Sequence, residues 1–584
     1  MHSLFNQSSN INNRQHVVSA ISLAVLLLSI STFPQTAIQK YSQVKIAFEN
    51  IGQIKHLADD GLIFDHVHHE AAAGNTFFLN TIINNRELEI LQRNGLSYRV
   101  LIDDMAAHYK SRRQLSQHEK RQIKAASGLQ GFGFGSMGGF YTFAEAVAEL
   151  DSMRNLYPHL ITEKQSIGSG HNGNKIWLVK ISDNPDLFEE DEPEILYTAL
   201  HHAREPQSLM TLMFFMYYLL ENYGSDPEAT FLVDNRQLYF VPVVNPDGYL
   251  YNEAIAPDGG GMWRKNRREV RPDTFGVDLN RNYGFQWGFD NSGSSAKMTD
   301  ETYRGPQAFS EPETEALREL CISHNFKIAL NYHTFGNVLI YPWGYLPAFL
   351  TPDSLLFLEL GAKMTGSNDY AFGTVDQTLG KVTNGDAGDW MYGDNTEKNR
   401  IISFTPEIGG SDDGFWPEQN RIFFLAEQNL AQNLTAARAA GGLAAYIDNT
   451  IADTGNRNGF IDPGETAKMV LPVKNIGLGP LRDINLKLKS LDPLVSIIKG
   501  NSDSLLDISS RSTAVSDTFS FLVDVKAPAG LQPQLELEID YGGFIEQFPV
   551  RDLLIGTPSI PFADDAEYGL SLIHISEPTR LHCI

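Results

Sequence analysis

The side chains best suited to chemistry start at His202 and Glu205, three apart in Leu200-His201-His202-Ala203-Arg204-Glu205-Pro206. One tight turn can aim that imidazole and that carboxylate at a single point. Zinc takes nitrogen and carboxylate-oxygen ligands at about 2.0–2.2 Å, so the pair is half of a zinc site. Alone it is a weak signal. With 16 His in the chain, about one such pair arises by chance, and a helix N-terminus with a favourable Glu in its first turn competes as an explanation. Four further stretches decide the matter. His333, in Asn331-Tyr332-His333-Thr334, ends an apolar run as a third ligand would, and Glu407, in Ser403-Phe404-Thr405-Pro406-Glu407, ends another. Trp263-Arg264-Lys265-Asn266-Arg267 and Asp278-Leu279-Asn280-Arg281-Asn282 supply fixed positive charge.

These residues need elements to hold them. Ile195 to Leu200 reads as a buried strand and Leu209 to Leu220 as a buried helix, so the first pair sits at a strand-to-helix junction, where α/β proteins place sites. Met210, Met213 and Met216 are core residues of that helix. Thr142-Phe143-Ala144-Glu145 has the form of a capping box for a helix to Tyr157. Strands at Ile176–Ile181, Leu238–Val244 and Ile328–Tyr332 and a helix at Glu313–Ser323 complete an α/β pattern with a mixed central sheet flanked by helices over 140–440.

Before it, 38–125 reads as a small α+β pro-segment, with a permanent small domain as the alternative. Its expected elements are a strand at Val44–Phe48, a helix at Arg86–Asn94 and a strand at Tyr98–Ile102. The basic stretch through Tyr109–Arg113 and Glu119–Lys124 reads as a linker open to proteases. Asp65 to Glu70, with three His, reads as a solvated loop. A Gly-rich joint spans 126–139. After the main domain, strands such as Lys468–Val473 and Phe519–Val525 between Gly/Pro/Asp turns predict a β-sandwich over 445–556. Its opening loop nearly matches a calcium loop, with Asn456, Asn458, Asp462 and Glu465 as Ca2+ ligands; a polar turn is the alternative.

A length of 584 residues calls for several domains, and a net charge of −25 argues against nucleic acid or anionic membrane as partner. Residues 1–37 read as a signal peptide, with Arg14 before the apolar stretch Val17 to Ile30 and small residues at Thr36-Ala37. No membrane span is expected after its removal. Residues 570–584, from Leu570 through Arg580, resemble a translated sequencing adapter. Without Cys583, Cys321 stands alone, so no intramolecular disulfide is expected; export from a bacterium, to the medium, periplasm or cell surface, fits best.

Taken in order, the motifs resemble the zinc carboxypeptidase family: HxxE, WRK, DxNRN, a distant His and a Glu near the domain end, over about 140–435. The resemblance implies one Zn2+ held by His202, Glu205 and His333. It implies Glu407 as the catalytic base and Arg264 as the stabiliser of the developing oxyanion. Asn280 and Arg281 would grip the terminal carboxylate of a peptide or protein substrate, Asp278 would orient the first His, and Arg204 would serve an outer subsite. Asp386, Gly388 and Thr405 match the side-chain pocket. Lys381 stands where the family usually has a mobile Tyr, eight residues before Asp389-Trp390, and Tyr370 is a stand-in if the loop is rebuilt. The expected function is a secreted, monomeric zinc metallocarboxypeptidase. A zinc amidase acting on cell-wall peptides or acyl-amino acids is the alternative, and a non-catalytic binding protein is less favoured.

Overall fold

Four near-continuous apolar runs form the middle of a sheet because both their faces are covered, and that is why they read as runs rather than alternations. In the computed structural model, which describes residues 39–62, 68–73, 76–500, 502–505 and 507–556, the chain forms two units. The first comprises residues up to 221 together with 237–433, the second 222–236 together with residues from 434. The expected signal peptide, Asp65 to Val67 and the segment 570–584 lie outside the described residues.

The first unit opens with β1 (Tyr41–Phe48), β2 (His68–Ala73), β3 (Thr76–Asn84) and β4 (Tyr98–Ile102), an antiparallel sheet in the order β2-β3-β1-β4. Helices Ile51–Asp60 and Asn85–Arg93 accompany it, and Val44, Ile46, Leu57, Leu79, Ile83 and Ile90 share its core. His68, His69 and Glu70, read above as loop, instead pair with Asn80, Leu79 and Phe78. Ladder pairing is a backbone property, and an edge strand tolerates polar side chains. The basic stretch that follows is also not an open linker. It forms helices Met105–Lys110 and Gln117–Ser127, capped by Asp104 and by a Ser116–Glu119 capping box. Tyr109 is buried, and the Arg112 guanidinium donates to the carbonyls of Asp412 (3.0 Å), Asp413 (2.8 Å) and Trp416.

The main sheet takes β5 (Gln165–Ser169), β6 (Lys175–Ile181), β7 (Glu194–Thr198) and β8 (Gln237–Val241). A separate hairpin, β9 (Glu269–Arg271) with β10 (Thr274–Phe275), precedes β11 (Phe326–Asn331), β12 (Val338–Ile340), β13 (Ala371–Gly373) and β14 (Ile402–Glu407). The order is β13-β12-β14-β11-β7-β8-β6-β5. The central strands β14, β11, β7 and β8 run parallel, while β12 joins β14, and β6 joins β8, antiparallel. The sheet is therefore mixed. Helix Pro206–Asn222 buries nearly every side chain, including Met210, Met213 and Met216, as a helix apolar all round must. Each fully buried Leu or Phe there contributes about 1.5–3 kcal/mol relative to exposure. Thr142 caps helix Phe143–Leu156 with Glu145 as the reciprocal acceptor. Cys321 is buried in the core beside Leu317 and Phe326, and burial pushes its thiol up to about 12.

The second unit is β-rich. Antiparallel sheets built on Thr466–Val470, Pro472–Asn475 and Ile484–Ser490 enclose Val473, Leu486, Phe521 and Leu537. The single strand expected at 468–473 is two strands in different sheets, because Pro472 has no N–H to continue the first ladder. In the loop before them, Asn456 and Asn458 donate to Asp462 (2.9 and 2.8 Å), and Glu465 accepts from the Asn456 and Asp462 backbones (2.8 and 3.0 Å). No described helix is long and apolar enough to cross a membrane.

Candidate metal centre and substrate cleft

Parallel strands end together, so whatever follows β7, β11 and β14 gathers at one rim. After β7 the chain turns sharply: Leu200 takes a left-handed conformation (φ 55°) that costs a non-Gly residue about 1–3 kcal/mol. Its N–H is met by Ser208 Oγ at 3.2 Å, and Asn245 N–H donates to its carbonyl at 3.1 Å. The turn delivers His202 and Glu205 to the rim. Two residues past β11 stands His333, bridged backbone-to-backbone to Glu407 at the end of β14.

Three donor atoms converge there, all buried. His202 Nδ1 lies 2.8 Å from Glu205 Oε1, His333 Nδ1 lies 2.9 Å from Glu205 Oε2, and the two imidazole nitrogens are 3.0 Å apart. His202 is held from behind by Asp278 Oδ1 (3.1 Å), and Arg264 donates through Nη2 and Nε to Asp278 Oδ2 (2.9 and 3.2 Å). Burial alone would raise the Glu205 and Asp278 carboxyls. The neighbouring His202 and His333 outweigh it at Glu205, Arg264 and His202 outweigh it at Asp278, and both acids sit well below the usual range. Burial pushes His333 down, which keeps a nitrogen lone pair available. Two imidazole nitrogens and a carboxylate, each within 4.8 Å of the others, fit zinc. A tetrahedral ion with bonds near 2.1 Å separates its donors by about 3.4 Å.

Eleven of the thirteen residues singled out from sequence line one cleft of about 560 Å³: His202, Glu205, Arg264, Asn280, Arg281, His333, Lys381, Asp386, Gly388, Thr405 and Glu407. Asp278 lies behind it. Arg204 does not line it; its guanidinium sits 4.3 Å above the Phe415 ring and 5.7 Å from that of Tyr41 in β1. Asn280 accepts from Ala387 N–H (2.9 Å) and approaches His333 Nε2 (3.3 Å). Arg281 donates to the Asn280 carbonyl (2.6 Å), and its buried Nε meets no acceptor among the described residues. Gly388 leaves the floor open: the nearest atoms a Cβ there would meet belong to Asp386, Thr405 and Ser403, at 3.4–3.7 Å.

Tyr370 is not the substitute for the missing mobile Tyr. It is buried, and its hydroxyl is engaged by Asn429 (3.2 Å) and the Gly409 N–H (3.4 Å). Sequence reading missed Tyr341, Thr383 and Ser403, which also line the cleft, and used Asp389 only as a landmark. Asp389 accepts from the Gly344 and Tyr345 N–H groups (2.9 and 3.2 Å) and so fixes one wall. Its adjacency to Asp386 was the available signal. Burial raises both carboxyls, Asp389 the more strongly because Asp386 adds to it.

The zinc carboxypeptidase family profile matches residues 146–432. A zinc carboxypeptidase of Saccharothrix mutabilis subsp. capreolus is 31% identical over 304 residues, covering 50% of this chain and 67% of that protein. The chain belongs to the zinc carboxypeptidase family. It is accordingly a peptide hydrolase, and membership implies the zinc ion that the His202–Glu205–His333 cluster fits. Carboxypeptidase A1 of Bos taurus is 26% identical over 326 residues, 54% of this chain and 72% of that protein. The crystal structure of carboxypeptidase A from Helicoverpa armigera, 23% identical, has a TM-score of 0.54 over 69% of this chain and 98% of that one. That likeness concerns the fold of this zinc carboxypeptidase.

Proposed function

We propose that this zinc carboxypeptidase is an exported bacterial enzyme that removes single residues from the C-termini of peptides and proteins. In this reading 1–37 is its signal, 38–125 its pro-segment, 140–440 its catalytic domain and 445–556 an accessory β-sandwich, and the chain acts as a monomer. His202, Glu205 and His333 hold the metal. Zinc, when bound, supplies Lewis acidity that makes water nucleophilic near neutral pH. Glu407 takes the proton of the attacking water and returns it to the leaving amine. Arg264, already fixed by Asp278, meets the carbonyl oxygen as charge builds on it, and preorganised charge costs no reorganisation at that moment. Asn280 and Arg281 receive the terminal carboxylate, for which a planar guanidinium is suited. Asp278 orients His202, and Arg204 serves an outer subsite once Tyr41 has left it. Lys381, Asp386, Gly388 and Thr405 surround the outgoing side chain, where room and negative charge favour broad use with tolerance of basic residues. In the loop that opens the sandwich, Asn456, Asn458, Asp462 and Glu465 would be the ligands of a Ca2+ ion.

The observation that carries the reading is the unfilled Nε donor of Arg281 beside Asn280, in the same cleft as Glu407 and the three metal donors. A free C-terminal carboxylate can take two parallel N–H bonds from the guanidinium, which the single oxygen of an internal amide cannot. Mass spectrometry of a mixed peptide library tests this, using zinc-loaded chain trimmed of residues 1–125. Stepwise loss of single C-terminal residues is expected, abolished by a chelator. In Glu407→Gln the rate should fall by about 10²–10⁴-fold with zinc content unchanged. Internal cleavage, release from cell-wall peptides alone, or full activity in Glu407→Gln would sink the reading.

A further inference from the structure

Outside the set of residues that line the cleft, His171, Glu311 and Glu313 bring an imidazole nitrogen and two carboxylate oxygens within 4.8 Å of one another. We infer that they form a second divalent-cation site, taking Zn2+ through one nitrogen and two carboxylate donors.

The cluster has three origins. His171 is in the tight turn between β5 and β6, which Asp247 pins by accepting from Asn172 N–H (2.6 Å) and Asn174 Nδ2 (2.7 Å). Glu311 and Glu313 stand at the start of helix Pro312–Ser323. Asn266, two residues after Arg264, donates from Nδ2 to Glu311 Oε2 (2.8 Å) and Glu313 Oε2 (3.2 Å). His171 Nε2 lies 2.9 Å from Glu311 Oε2, while Arg268 and Ser310 occupy Glu311 Oε1, both at 2.7 Å.

Glu313 is the anomaly. It is fully buried, yet its Oε1 meets no hydrogen-bond donor among the described residues. A buried carboxylate oxygen left bare costs about 1–3 kcal/mol or more, so a site that keeps one is completed by a proton, a water or a cation. Burial pushes the Glu313 carboxyl up to about 7, so near neutrality a bound dication would have to displace a proton there. His171 reaches solvent and gives the ion a path in. Arg268 pairs with Glu311 Oε1 at 2.7 Å, so the oxygen left to face the cluster is Oε2, which Asn266 and His171 also approach. Three side-chain donors including a histidine suit zinc-class ions, whereas Ca2+ asks for six to eight oxygens. A cation here would tie the β5–β6 turn and helix 312–323 to the segment that carries Arg264. It would act on stability, at a distance from the chemistry.

The test counts metal on the full-length chain. Protein stripped by chelator is equilibrated with Zn2+, desalted and measured by inductively coupled plasma mass spectrometry, beside Glu313→Gln, His171→Ala and His333→Ala. Two zinc ions per wild-type chain are expected and one in each variant. Hydrolysis of a blocked dipeptide, which the 38–125 segment obstructs least, should persist in His171→Ala and vanish in His333→Ala. His171 is at the surface, so its variant folds even if Glu313→Gln does not. One zinc per wild-type chain, or two retained in both His171→Ala and Glu313→Gln, overturns the inference. Two zinc ions retained in His333→Ala would instead count against the proposed metal centre.

Discussion

Asp278 holds two functional groups with one carboxylate: Oδ1 faces His202 and Oδ2 takes the Arg264 guanidinium. Asp278→Asn keeps the shape and removes the charge, so zinc affinity should fall by about 10–100-fold, read by competition with a chromophoric chelator. The pocket acids make a second prediction. The folded protein holds the Asp386 and Asp389 protons more tightly than free carboxyls would, through burial at both and the added repulsion of Asp386 at Asp389. These two carboxyls are therefore neutral at low pH and add negative charge beside Lys381 as pH rises. Preference for C-terminal Lys or Arg over Leu should rise with pH, and Asp386→Asn should flatten that rise; paired-substrate competition from pH 5 to 8 measures it. At this scale the sequence was informative because metal ligation and carboxylate recognition demand residue types at fixed spacings. Tyr341, Thr383 and Ser403 escaped because a cleft wall asks only for shape, which leaves no pattern along the chain.

Elements were legible wherever burial imposes a period or a cap. The Thr142–Glu145 capping box, the helix after Glu205 and the strands feeding the rim lie where propensity and apolar pattern agree. Thr142→Ala removes a side-chain acceptor for a helix N–H and should cost about 1 kcal/mol, seen as a lower urea midpoint at constant zinc. Reading failed where a tertiary partner overrode composition. The polar 68–70 stretch became a strand because β3 offered a ladder, and the basic 109–124 stretch became helix because Tyr109 and Arg112 found seats around 409–419. The same failure explains Pro472, whose missing N–H divides what a hydropathy pattern joins.

At the scale of the whole molecule, the four-stranded sheet borders the cleft. Gln43, Thr81 and Ile102 face Phe335 and Leu379 across an open space, and Leu379 also lines the cleft itself. Tyr41 donates to Glu301 (3.0 Å) beside Arg204, and Arg86 pairs with Asp300 (2.6 Å). Peptides longer than two or three residues should meet this sheet before they reach the metal donors. Trimming residues 1–125 is expected to raise kcat/KM on a decapeptide by roughly tenfold or more, as when a blocked state is depopulated, and to change hydrolysis of a blocked dipeptide much less. Equal gains on both substrates would mean that the segment acts on the centre rather than on access.

Cys321 carries a consequence for handling. Its thiol is enclosed and strongly protonated, and it has no disulfide partner among the described residues. The described fold therefore has no redox-dependent bond to lose, and oxidants meet no reactive thiolate there. A small dithiol added to this protein can then act chiefly as a competitor for metal. If dithiothreitol silences the enzyme and added Zn2+ restores it, the lost activity reports ion capture, and the reagent becomes a probe of the centre rather than a protectant.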